Sequence, residues 1–195
     1  MSLQLCTSAV SGSPREGMRS VNGQKSMHRL YFLIGASGVG KTSAMKALAK
    51  RRPDIIFRHF DPIGGAPVEE MVNKNVSGEE GQRQTTIDWV KRIKAELLDH
   101  APVILDGQTR QSFIEEACRL EGLSDYKIVL FHCEDAVRDT RVIARGHPEL
   151  ANSKMANWAK HFRQWALNRG DAVIDTTALT TEEAADELQR QISVL

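Results

Sequence analysis

The stretch Gly35-Ala36-Ser37-Gly38-Val39-Gly40-Lys41-Thr42 constrains this chain more than any other. It satisfies G-x-x-x-x-G-K-[ST] at every fixed position and directly follows the apolar run 30–34. A loop of this kind works only between a buried strand and a helix. The strand delivers the chain, and the glycines take backbone angles closed to other residues. Successive backbone N–H groups then converge on an anion at the first helical turn. The following segment 42–51 is helix-competent. Gly35, Ser37, Gly38, Val39, Gly40, Lys41, Thr42 and Ser43 are therefore the expected phosphate-binding residues. Lys41 would reach the outer phosphates and the Thr42 hydroxyl would face Mg²⁺.

At 195 residues the chain is expected to form one domain. A hydrophobic share of 41% with 26% charged residues is ordinary for a globular protein, which sets aside disordered and membrane-embedded classes. The formal net charge of +1 leaves no general basic footprint, so no nucleic-acid partner is expected. No apolar stretch approaches the roughly 20 residues that span a bilayer, and the first residues lack the apolar core of a secretory signal. A cytoplasmic protein without membrane contact is the resulting expectation. Cys6, Cys118 and Cys133 are odd in number, widely spaced and free of C-x-x-C pairing, which argues against a disulfide framework and a zinc site. Cys118 and Cys133 read as core residues.

Residues 1–28 are rich in Ser and Gly with no structural period, and read as a disordered leader before a domain at 29–195. From residue 30 onward, short apolar runs alternate with helical stretches, the pattern of βαβ units. Strands are expected at 30–34, 55–60, 103–105, 126–131 and 172–174. The fold class is therefore α/β: a three-layer parallel sheet of five strands with helices on both faces, of the P-loop NTPase type. Between the second and third strands, an insertion at 61–100 opens with a Pro/Gly-rich turn and continues as polar helix. Trp89, Val90, Ile93 and Leu97 recur there at helical spacing, so one face packs inward. A capping box, Thr180 with Glu183, opens the last helix.

The run Val103-Ile104-Leu105-Asp106 ends apolar residues in a carboxylate, which is how a strand presents a metal-holding group beside a phosphate loop. It continues as Gly107-Gln108-Thr109-Arg110, and here the chain resembles the adenylate-kinase-like family of nucleoside monophosphate and small-molecule kinases. That family typically ends its third strand in Leu-Asp-Gly-x-Pro-Arg; Thr109 stands where it carries proline. The resemblance implies ATP and Mg²⁺ as cofactors, Thr42 and Asp106 at the metal, and Arg110 on a substrate phosphate. Arg141 and Arg145, four apart on one helix face after Arg138, are similar to the family's arginine pair at its lid. Positive charge of that kind suits the transferring phosphoryl group. A lid region at 138–160 is expected, and its short helical character looks like shikimate-kinase-like or gluconate-kinase-like relatives.

Asp61 closes the expected second strand, where hydroxyl-phosphorylating kinases of the resembled family tend to carry a substrate-binding or proton-accepting acid. A nucleotide acceptor would instead call for arginines in the insertion, and Arg83 and Arg92 are candidates. His59, His132 and His147 lack metal-ligand spacing and are expected to be structural. The leading expectation is an ATP-binding phosphotransferase that moves the γ-phosphoryl group to a small-molecule hydroxyl or phosphate. Lys41, Asp61, Arg110, Arg141 and Arg145 are its expected catalytic residues. The alternative is a P-loop ATPase or nucleotide-dependent switch with no acceptor. The expected partners are ATP and a small-molecule acceptor, and the assembly a monomer or homodimer.

Overall fold

Strand β1 (Leu30–Ile34) is buried on both sides. Leu30, Phe32 and Ile34 join one apolar cluster, while Tyr31 and Leu33 join another, which the strand's alternation requires if helices cover both faces. The computed structural model describes residues 29–60 and 78–192, so the leader, Cys6, Asp61 and the Pro/Gly-rich turn lie outside the described residues. Four further strands flank β1: β2 (Ile56–His59), β3 (Val103–Gly107), β4 (Tyr126–His132) and β5 (Ala172–Asp175). Their order is β2-β3-β1-β4-β5 and every pairing is parallel. The chain order reverses direction on the two sides of β1, and in such sheets ligands bind at the carboxyl ends of the strands beside that point.

Each of β3, β4 and β5 runs one or two residues past its last apolar position, into Asp106 and Gly107, His132 and Asp175. Ladder hydrogen bonds depend on the backbone, so a strand continues into polar residues where those face a site. β2 is an edge strand, which is why its Arg58 and His59 are exposed.

Helices α1 (Lys41–Arg51) and α6 (Thr181–Ile192) cover one face through Ala44, Met45, Leu48, Ala185, Leu188 and Ile192. Helices α2 (Gly78–Glu96), α3 (Gln111–Leu120) and α5 (Ser153–Arg169) cover the other through Trp89, Val90, Ile93, Ile114, Ala117, Phe162 and Ala166. Helix α4 (Asp135–Ala144) follows β4, and a short 3₁₀ turn (Pro148–Leu150) leads into α5. The inward face expected from Trp89, Val90 and Ile93 is present, with Trp89 in the core. The Thr180 capping box forms in both directions: Thr180 N–H donates to Glu183 Oε2 at 2.8 Å, and Glu183 N–H donates to Thr180 Oγ1 at 3.2 Å. α5 starts earlier than its apolar residues suggest, because Asn152 caps it by accepting from Met155 N–H at 2.9 Å.

Cys118 and Cys133 are buried and free, and burial pushes the Cys118 thiol up to about 12, which leaves it unreactive. No described helix is long and apolar enough to cross a membrane.

Phe162 is 1% exposed and joins α5 to the sheet. Phe162→Ala is expected to lower stability by about 3–5 kcal/mol. Urea unfolding should show the midpoint falling with an unchanged slope.

Candidate active site

The phosphate loop takes its shape from close backbone packing. Gly38 has φ +91°, and a side chain there would meet Arg138 Cγ and Val142 Cγ1 of α4 at 2.8 Å. Gly35 has φ +146°, and a Cβ would stand 2.4 Å from the Phe131 carbonyl oxygen. Both positions admit only glycine. Lys41 folds across the loop and donates to the carbonyls of Gly35 at 2.8 Å and Ala36 at 3.1 Å. Burial holds its ammonium below the usual lysine range; the Asp106 carboxylate opposes that shift and the Arg145 guanidinium adds to it.

Thr42 Oγ1 donates to Asp106 Oδ2 at 2.9 Å, linking the first turn of α1 to the end of β3. Asp106 is 5% exposed. Its other oxygen, Oδ1, is buried with no hydrogen-bond partner among the described residues. A hydroxyl and a carboxylate with a spare buried oxygen are hard donors of the kind Mg²⁺ prefers, so Thr42 and Asp106 fit that ion.

His59, expected to be structural, stands beside Asp106. The β2–β3 register pairs His59 with Asp106. The His59 ring places Nδ1 3.2 Å from Asp106 Oδ2, with 43% of the side chain exposed. His59, Lys46, Phe60, Gly107 and Gln108 join Lys41, Thr42 and Asp106 around a cleft of about 510 Å³. Lys46 is a second residue that motif reasoning passed over. The only signal for His59 was a polar residue ending a strand.

On the acceptor side, three residues of α2 form a polar stripe against the loop after β3. Glu79 pairs with Arg110, Gln82 Nε2 donates to the Gln108 carbonyl at 2.6 Å, and Thr86 Oγ1 lies 2.8 Å from Thr109 Oγ1. Thr86 and Thr109 are both buried. Thr109, which stands where the resembled motif carries proline, is tied to α2 by this hydroxyl pair. Arg83 bonds Glu116 and Glu80, and Arg92 bonds Glu96, so both candidate phosphate-holding arginines of the insertion are engaged with carboxylates.

The three arginines of α4 and its end separate by environment. Arg138 is fully buried beneath the loop and bonds Asp135 at 2.7 Å and Asp139 at 2.6 Å. Arg141 donates to Thr176 Oγ1 at 3.1 Å and to the Thr176 carbonyl at 2.8 Å, and Thr176 Oγ1 donates to the Val39 carbonyl at 2.8 Å. Arg145 has no hydrogen bond or ion pair among the described residues and lines a small cavity with Ser37, Gly38, Gly40, Lys41, Thr42 and Ser43. Arg141 and Arg145 together border a cavity of about 280 Å³ between the loop and Thr176–Thr181. The structure thus gathers Lys41, Thr42, Ser43, Asp106 and Arg145 into one region. It sets Arg141 two hydrogen bonds behind the loop, through Thr176, and Arg110 in a neighbouring cavity lined by α5.

No protein-family model and no curated protein matches the chain. Solved structures do. A tunicamycin resistance protein from Deinococcus radiodurans matches with a TM-score of 0.63 at 17% identity, over 86% of this chain and 97% of that one. A gluconokinase from Sinorhizobium meliloti 1021 matches at 0.60 and 16%, over 85% and 94%. A shikimate kinase from Acinetobacter baumannii, solved in complex with shikimate, matches at 0.59 and 18%, over 85% and 93%. At these identities the likeness establishes the fold that these proteins share and leaves their activities their own.

The desolvated ammonium of Lys41 yields a prediction. Lys41→Met is expected to abolish binding of a fluorescent ATP analogue while leaving the urea midpoint, measured without nucleotide, unchanged or raised. A stability loss beyond about 1 kcal/mol would show that the lysine serves the loop's own structure and not its ligand.

Proposed function

We propose that this chain is an ATP-dependent small-molecule kinase. The observation that carries the reading is Asp106: nearly buried, bonded through one oxygen to the loop's Thr42, with its other oxygen unpartnered among the described residues beside a substrate-sized cleft. That arrangement suits phosphoryl transfer, where positioning and charge stabilisation supply most of the catalysis.

In this reading the loop's N–H groups and Lys41 hold the phosphates, and Thr42 and Asp106 hold Mg²⁺. The metal, when bound, supplies positive charge to the phosphate oxygens. His59 orients Asp106 through its ring nitrogen and so positions a metal ligand without touching substrate. Arg145 extends a free guanidinium over the loop, suited to charge that grows on the transferring group. Arg141 acts through Thr176, bracing the loop where the nucleoside would lie. The acceptor oxygen bonds to the γ-phosphorus as the bond to the ADP oxygen breaks. Asp61, the residue after Phe60, is proposed to take the acceptor proton. The engagement of Arg83 and Arg92 with carboxylates favours a hydroxyl acceptor over a phosphate.

ADP release by the purified chain with MgATP, measured across a panel of hydroxyl-bearing acids, sugars and nucleoside monophosphates, tests the proposal. Acceptor-dependent release supports it; ATP binding that no acceptor accelerates would favour an ATPase or a nucleotide switch. Asp106→Asn should reduce acceptor-dependent release by about 10²–10³-fold. His59→Ala should instead raise the Mg²⁺ concentration for half-maximal rate by about tenfold, with the rate at saturating Mg²⁺ largely kept.

A further inference from the structure

Two lysines line the cleft beside the phosphate loop, and their surroundings differ. Lys41 is turned inward, its ammonium donating to the carbonyls of Gly35 and Ala36. Lys46 is exposed and makes no hydrogen bond or ion pair among the described residues. It follows Thr42 by four residues, so the two share one face of α1, a turn apart. Helical side chains lean toward the N-terminus of their own helix, which carries the Lys46 stem back over the turn of Thr42. His59, Asp106 and Gly107, at the ends of β2 and β3, border the same cleft.

The cleft and the small cavity of Arg145 meet at the loop, because Ser37, Lys41 and Thr42 line both. A phosphoryl group held at that junction has Arg145 on one side and Lys46 on the other. The arginines of the acceptor side are already committed: Arg110 to Glu79, Arg83 to Glu80 and Glu116, Arg92 to Glu96. A cation lowers a barrier only by the attraction it gains in the transition state, and one already bound to a carboxylate gains least. The carboxylate that lines the cleft, Asp106, is bonded to Thr42 and 5% exposed, which leaves the Lys46 ammonium unneutralised. Its flexible four-carbon stem lets that charge follow a group that moves.

We propose that Lys46 is a catalytic residue, whose ammonium donates to an equatorial oxygen of the γ-phosphoryl group from the acceptor side. It does so while the bond from the acceptor oxygen to phosphorus forms and the bond to the ADP oxygen breaks. Lys46 keeps its protons throughout, and the acceptor proton leaves to the base assigned above. The role rests on the phosphotransferase reading and adds to it a residue outside the phosphate-loop motif.

Aluminium fluoride tests this without a known acceptor, because with MgADP it takes the place and the charge of the transferring phosphoryl group. The Kd of a fluorescent ADP analogue with Mg²⁺ is measured with and without aluminium fluoride, in the full chain and in Lys46→Met, Lys46→Arg and Lys50→Met. Lys50 lies one turn further along α1, is also exposed and does not line the cleft. Aluminium fluoride should tighten binding to the unaltered chain. Lys46→Met should lose about tenfold of that tightening, with its Kd for MgADP alone kept within about twofold, and Lys46→Arg should retain the tightening within about threefold. Lys50→Met should match the unaltered chain. Undiminished tightening in Lys46→Met would overturn the role, and so would a loss shared equally by Lys50→Met or by binding of MgADP alone. Absence of tightening in the unaltered chain would overturn the role together with the phosphotransferase reading.

Discussion

Helix α4 lies so close beneath the phosphate loop that Gly38 has no room for a single methyl group against Arg138 and Val142. Beta strands bring the loop to the middle of the sheet, but this contact gives it a floor. Arg138 is fully buried, and it is neutralised by Asp135 and Asp139 of its own helix. A buried guanidinium without such partners would be a large penalty. Two aspartates three residues before it and one after it therefore decide whether the loop has support. Thr176 adds a wall, bonded to the Val39 carbonyl on one side and to Arg141 on the other. Sheet, helix and the strand-five loop converge on a handful of backbone atoms.

The same packing sorts positive charges that look alike in the sequence. Arg138, Arg141 and Arg145 recur within two helical turns, and a helix-face argument groups the last two. Their surroundings differ: Arg138 is sealed in, Arg141 is committed to Thr176, and Arg145 has no ion-pair partner among the described residues. Lys41 registers Arg145 electrostatically, which places that guanidinium within the field of the loop.

The fold was legible because its signals are local. Apolar runs, a glycine-rich turn and a capping box each depend on neighbours a few residues away, and the parallel sheet, its five strands and the covering helices followed from them. Thr42 and Asp106 were legible as separate motifs. Their meeting at 2.9 Å across 64 residues is a tertiary fact. His59 escaped because its significance lies in which Asp it stands beside, and strand register is not written in one strand's residues. The pairing of Arg83 and Arg92 was illegible for the converse reason, since an arginine-bearing helix shows nothing of the carboxylates that face it.

The hydroxyl pair between Thr86 and Thr109 alters how the direction of Arg110 is determined. A proline stiffens its own turn through its ring, so the turn's geometry belongs to the loop alone. Here the loop is bonded at three successive residues to Glu79, Gln82 and Thr86, one stripe of a helix whose same face continues into Val90 and Ile93 of the core. The loop has in effect lent its shape to α2. Drift in these helix residues can then re-aim the Arg110 guanidinium without any change in the residues of the loop itself.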